Sequence, residues 1–134
     1  MRAILIDPFS CTVTEINLPY VDQQSIYPAL SHESMKVDTF TIIHLDQGDV
    51  VLVDVEGLLK PWDRFFMLAS YHQPIAGKAL ILGSDGDGDT APAKALLEMV
   101  KSQVAFLTNI NGLLIRTVTP WALPETAGER RAAQ

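Results

Sequence analysis

The residues whose types and spacing could do chemistry lie mainly in the run Gly83-Ser84-Asp85-Gly86-Asp87-Gly88-Asp89-Thr90. Alternate carboxylates can converge on a hard cation when glycines let the chain curl round it, which makes Asp85, Asp87 and Asp89 candidate ligands for Mg²⁺ or Ca²⁺. EF-hand spacing is absent. Counted from Asp85, the sixth position holds Thr90 rather than glycine, and the twelfth holds Leu96 rather than glutamate. The simpler reading is a solvated turn whose last acidic residue caps the next helix and meets its positive end, with no cofactor bound. Gly83, Gly86 and Gly88 do not form a phosphate loop, because lysine is missing and the carboxylates would repel the phosphate.

The Asp-x-Asp pair after an apolar run is similar to the nucleophile loop of haloacid-dehalogenase-like phosphatases, but only 45 residues follow Asp89, too few for that fold's other motifs. The Asp-Gly-Asp-Gly-Asp string looks most like the magnesium loop of the phosphohexomutases. Those enzymes are several times longer and place arginine where this chain has Thr90, and no phosphoserine motif accompanies the string here. Elsewhere, Asp54 and Glu56 stand two apart at the end of an apolar run. A strand would put them on one side as an acid and base pair or a cation site, and the simpler account is a solvated strand end. His32, His44 and His72 show no zinc spacing, and the lone Cys11 does not complete a set. Cys11 itself reads as a strand residue rather than an activated thiol. His44, beside Phe40 and Ile42, reads as an edge histidine rather than a general base. No serine sits in a Gly-x-Ser-x-Gly elbow. These patterns nominate no catalytic residue.

The elements that must position these groups follow from periodicity. Ala3-Ile4-Leu5-Ile6, the turn Asp7-Pro8-Phe9-Ser10 and the alternating Thr12-Val13-Thr14-Glu15-Ile16 predict a first hairpin. Asp22 can cap a short helix with Ile26, Tyr27 and Leu30 on one face, although Pro28 removes a donor inside it. Val37 to Leu45, Asp46-Gln47-Gly48-Asp49 and Val50 to Val55 predict a second hairpin. Arg64 to Leu68 fits either a strand or a helical turn. Ala79-Leu80-Ile81-Leu82, between Gly77 and Gly83, predicts a central strand buried on both faces. From about Ala91 through Gln103 the stripe Ala93, Leu96, Leu97, Val100 and Val104 predicts the main helix, capped by Asp89 or Thr90. Asn111-Gly112 suits a type I′ turn and predicts a third hairpin between residues 104 and 119. The polar segment from Pro120 has little to bury and is expected to be a disordered tail.

These elements assemble into an α+β domain over residues 1–119, with a mostly antiparallel sheet built from hairpins and packed against the one main helix. Two small sheets around a half-barrel are the alternative. At 134 residues with 48% hydrophobic and 19% charged content, the chain suits one globular domain. Sixteen acidic against ten basic residues give −6, which argues against nucleic acid as a partner. The charge is local: Asp38, Asp46, Asp49, Asp54, Glu56 and Asp63 face only Lys60 between positions 38 and 63. Such a stretch can steer docking on a basic protein surface, or serve simply as a solvated face. The first apolar run is too short for a leader or a span, so no targeting or membrane segment is expected, and the single cysteine, Cys11, points to the cytoplasm.

Ala3-Ile4-Leu5-Ile6-Asp7-Pro8, Asp38-Thr39-Phe40, Gly48-Asp49 leading to Val53-Asp54-Val55-Glu56-Gly57-Leu58, and Gly77 through Leu80-Ile81-Leu82-Gly83 together carry a resemblance. Over residues 1–107 the chain resembles a family of small uncharacterised proteins encoded by tailed phages and bacterial mobile elements. The resemblance implies a bacterial cell and a role on or against a host protein, and no activity. The expectation is a non-catalytic accessory protein that binds a host or defence protein through its acidic face. The other readings are a small-molecule or metal-dependent activity at Asp85, Asp87 and Asp89, and a homo-oligomeric assembly role through an open sheet edge.

Overall fold

The computed structural model describes residues 1–19, 23–33, 35–45, 48–57, 60–85 and 89–117. The expected helix cap Asp22 and the tail from Pro120 lie outside them. Strands β1 (Arg2–Asp7) and β2 (Thr12–Asn17) pair antiparallel, with Ile6 opposite Val13. Their turn is held by Asp7, whose Oδ1 accepts the backbone N–H of Phe9 at 2.9 Å. Cys11, read as a strand residue, instead closes this turn at φ 56. Helix α1 (Gln23–Leu30) buries Ile26 and Leu30 and tolerates Pro28 within it.

Strands β3 (Phe40–His44) and β4 (Asp49–Asp54) form the second hairpin, with Gly48 at φ +89 where only glycine is unstrained. The undecided segment is strand β5 (Arg64–Leu68), followed by β6 (Ile75–Ala76), β7 (Ala79–Ser84) and β8 (Thr90–Ala91). Helix α2 (Leu97–Gln103) leads into β9 (Val104–Ile110) and β10 (Leu113–Arg116). Asn111 at φ 53 and Gly112 at φ 87 make the two-residue turn that the sequence predicts.

The strands form two antiparallel sheets. One runs β2-β1-β7-β4-β3, with β8 pairing the end of β7; the other runs β10-β9-β5-β6. In the first, alternate residues divide between two apolar clusters. Ala3, Val50, Leu52, Leu80 and Leu82 join Ile26 and Leu30 of α1. Ile4, Ile6, Val51, Val53 and Ile81 join Phe66 and Leu68 of β5 and Val100 of α2. Because both faces are covered, β4 and β7 must be apolar at successive positions rather than at alternate ones.

The expected single sheet on one main helix is therefore corrected. The mixed α+β architecture holds, but the second sheet does much of the covering, and α2 begins at Leu97 rather than Ala91. Its N-terminus at Leu96 has no side-chain cap, and Leu96, assigned to the buried stripe, is 65% exposed. Tertiary hydrogen bonds override the helical pattern. The N–H of Ala93 donates to the Arg2 carbonyl at 3.0 Å, while Lys94 and Ala95 donate to the Asp49 carboxylate. Gly83 permits this crossing, since a Cβ there would lie 2.2 Å from the Pro92 carbonyl oxygen.

Candidate functional site

The acidic stretch does not form one continuous face. Asp49 and Asp54, at the two ends of β4, are only 5% and 6% exposed. Carboxylates survive such burial only when their oxygens are satisfied. Asp49 accepts the Lys94 N–H at 3.0 Å on one oxygen and the Ala95 N–H at 2.9 Å on the other. Asp54 receives the Lys60 ammonium at 2.8 Å and the Trp62 indole N–H at 3.3 Å. Both were candidate partner-binding residues, and both are spent inside the fold. Glu56 lies in the turn beyond β4, and its backbone N–H, not its carboxylate, meets Asp54 at 3.0 Å, so the two do not form an acid and base pair. Asp38, Glu56 and Asp63 are exposed; Asp46 lies outside the described residues.

The aspartate loop closes on itself. Asp85 N–H donates to the Asp89 carbonyl at 2.8 Å, and Asp89 N–H returns to the Asp85 carboxylate at 3.0 Å. Asp89 and Thr90 lead into β8 instead of capping a helix. Asp87 lies outside the described residues, and among those described no group of three or more His, Cys, Asp or Glu side chains could hold a metal.

The histidines separate. His44 is exposed on β3, an edge of the larger sheet. His32 stacks on Phe9, with ring centroids 3.7 Å apart and planes 4° from parallel. Phe9 also meets Trp62 at 5.5 Å. These rings, with Glu33, Met35, Pro61, Asp63 and Arg64, line an open cleft of about 540 Å³. Cys11 lies close enough to Arg64 to feel its charge, but burial dominates and pushes the thiol's pKa up. Sequence reasoning missed this cleft, because its walls come from three separated turns and no local motif links them.

The third hairpin presents a different surface. Leu113, Leu114 and Ile115 on β10 and Ile110 on β9 are 66%, 39%, 46% and 50% exposed. β10 is the edge of the smaller sheet, and each of its residues is exposed. Comparison with family models, with curated proteins and with solved structures returned no match.

Proposed function

We propose that this chain is a non-catalytic binding and assembly protein that pairs with a second copy of itself through β10. The observation carrying this reading is the exposed apolar edge formed by Leu113, Leu114 and Ile115. Native edge strands are ordinarily blunted by lysine, proline or a bulge, because their free backbone groups template further pairing. β10 carries no lysine, proline or bulge, and its one charge, Arg116, stands at its end. In an antiparallel two-fold pairing centred on Leu114, which then faces its own copy, Leu113 faces Ile115 and each Arg116 faces Gly112 of the other copy, so no like charges oppose. Such a contact is self-complementary and closes as a dimer.

Light scattering across protein concentration tests the reading. Wild type is expected to be a dimer at tens of micromolar, on the order of ordinary homodimer affinities, and Ile115→Lys a folded monomer. A wild type that stays monomeric at every concentration overturns it.

A second reading rests on the exposed Asp38, Glu56 and Asp63, none of which makes an ion pair among the described residues. These would steer the protein onto a basic surface of a host protein, in keeping with the phage-like resemblance. Its signature is an association rate that falls with salt and with Asp63→Lys. A rate indifferent to both removes it.

A further inference from the structure

We propose that the cleft between the β1–β2 turn, the bridge of His32 to Met35 and the start of β5 binds a small organic carboxylate with a flat apolar body. The central observation is Arg64. Its Nε is buried with no hydrogen-bond partner, and among the described residues its guanidinium makes no ion pair. Arg64 as a whole is half-buried, and a buried donor without an acceptor is costly. The fold keeps this group at the wall of a cleft of about 540 Å³, a size that suits a small molecule.

The surroundings select the anion. A guanidinium is a planar fork of donors that matches two carboxylate oxygens. Among the described residues Arg64 is the only lysine or arginine lining the cleft, while Glu33 and Asp63 stand at the same walls. Those two carboxylates repel a multiply charged phosphate more than a single carboxylate. The remaining walls are the stacked Phe9 and His32 rings, Trp62, Pro61 and Met35, which favour a flat apolar body. The wall is also firmly built. His32 and Met35 exchange backbone hydrogen bonds at 3.1 and 2.9 Å, which hold Glu33 at φ 51 in the left-handed region. Trp62 is pinned by its indole bond to Asp54 and by Gly77, whose added Cβ would sit 3.3 Å from the ring.

Nitrogen–proton correlation spectra of the full chain, titrated with benzoate, benzylammonium and inorganic phosphate, test the proposal. Benzoate should move the Arg64 Nε–H and Trp62 indole signals saturably, while benzylammonium and phosphate leave them in place. Arg64→Met should weaken benzoate binding by about tenfold or more, the loss expected for hydrogen bonds to a charged group. Among the described residues the variant breaks no side-chain hydrogen bond, and its amide spectrum reports whether the fold is kept. If it does not fold, the contrast between benzoate and benzylammonium on wild type decides alone. Equal response to benzylammonium, a phosphate response in place of the benzoate one, or full benzoate affinity in folded Arg64→Met would each overturn the proposal.

Discussion

The two ends of β4 carry the same residue type and treat it differently. At the Asp49 end the carboxylate is a backbone organiser, holding two N–H groups from a segment 45 residues away. At the Asp54 end it is a charge and indole partner, taking Lys60 and Trp62 from the next turn. The difference lies in what is left behind on removal. Without Asp49, two backbone donors lose their acceptors in a segment with no side-chain cap; without Asp54, one backbone donor, Glu56, and the Trp62 indole lose theirs, while Lys60 still has the Lys36 carbonyl at 3.0 Å and access to water. Charge counted along the sequence thus says little about charge offered to a partner.

The largest effect is expected where β7 passes beneath the segment that Asp49 holds. Gly83→Ala forces a Cβ against the Pro92 carbonyl, backbone against backbone, and should cost about 3 kcal/mol in urea denaturation. A loss below about 1 kcal/mol would mean the crossing can lift away, and the Asp49 end would not be the rigid one.

Asp49→Asn comes next. The amide keeps one acceptor but turns its NH₂ toward a backbone N–H, so a loss of about 2 kcal/mol is expected. Hydrogen exchange should quicken at Lys94 and Ala95, while the Trp62 indole proton stays as protected as in wild type. Asp54→Asn should cost only about 1 kcal/mol, since the amide oxygen can still accept from Trp62 and Lys60 and its NH₂ meets only the N–H of exposed Glu56, which water can reach. An Asp54→Asn cost equal to that of Asp49→Asn would break the comparison.

The smallest effect concerns Cys11, which shares Arg64 with the cleft walled by Trp62 and so reports on the Asp54 end. Burial raises its folded thiol pKa above the ordinary 9.0, with Arg64 lowering it and Asp7 raising it to lesser degrees. The unfolded chain therefore loses the thiol proton first as the pH rises. The stability linked to this group is complete below pH 9.0 and declines above it, through the folded value. Iodoacetamide should modify Cys11 more slowly than a free thiol at pH 8, and Cys11→Ala should flatten the alkaline loss of thermal stability. Asp54→Asn should speed the modification more than Asp49→Asn, even though it costs less global stability.

Much of the fold was legible because its signals are local. Asn111-Gly112 reads as a hairpin turn from two residues, since positive φ at both positions is a property of those residue types. Ala79 to Leu82 reads as a buried central strand because four successive apolar residues leave no polar face. The candidate site was less legible. Asp85, Asp87 and Asp89 stood out by spacing, yet Asp85 turns its carboxylate onto its own loop. The Arg64 cleft carried no signal beyond single scattered residues.

What residue order settled was conformation within short reach: where apolar runs make strands, where glycine and asparagine permit a turn, and that the domain mixes helix with antiparallel strand. Only the packed structure decided which of the five described acidic residues between 38 and 63 would be withdrawn from solvent, whether Arg64 to Leu68 would be strand or helix, and where α2 would begin. Each of these turned on groups far apart in the chain. Asp49 reaches Lys94 and Ala95, and β5 finds β9 with Arg64 opposite Thr108. A buried carboxylate or an unpaired strand takes its partner from whatever the fold brings within hydrogen-bond distance, and that partner is invisible to any window of neighbouring residues.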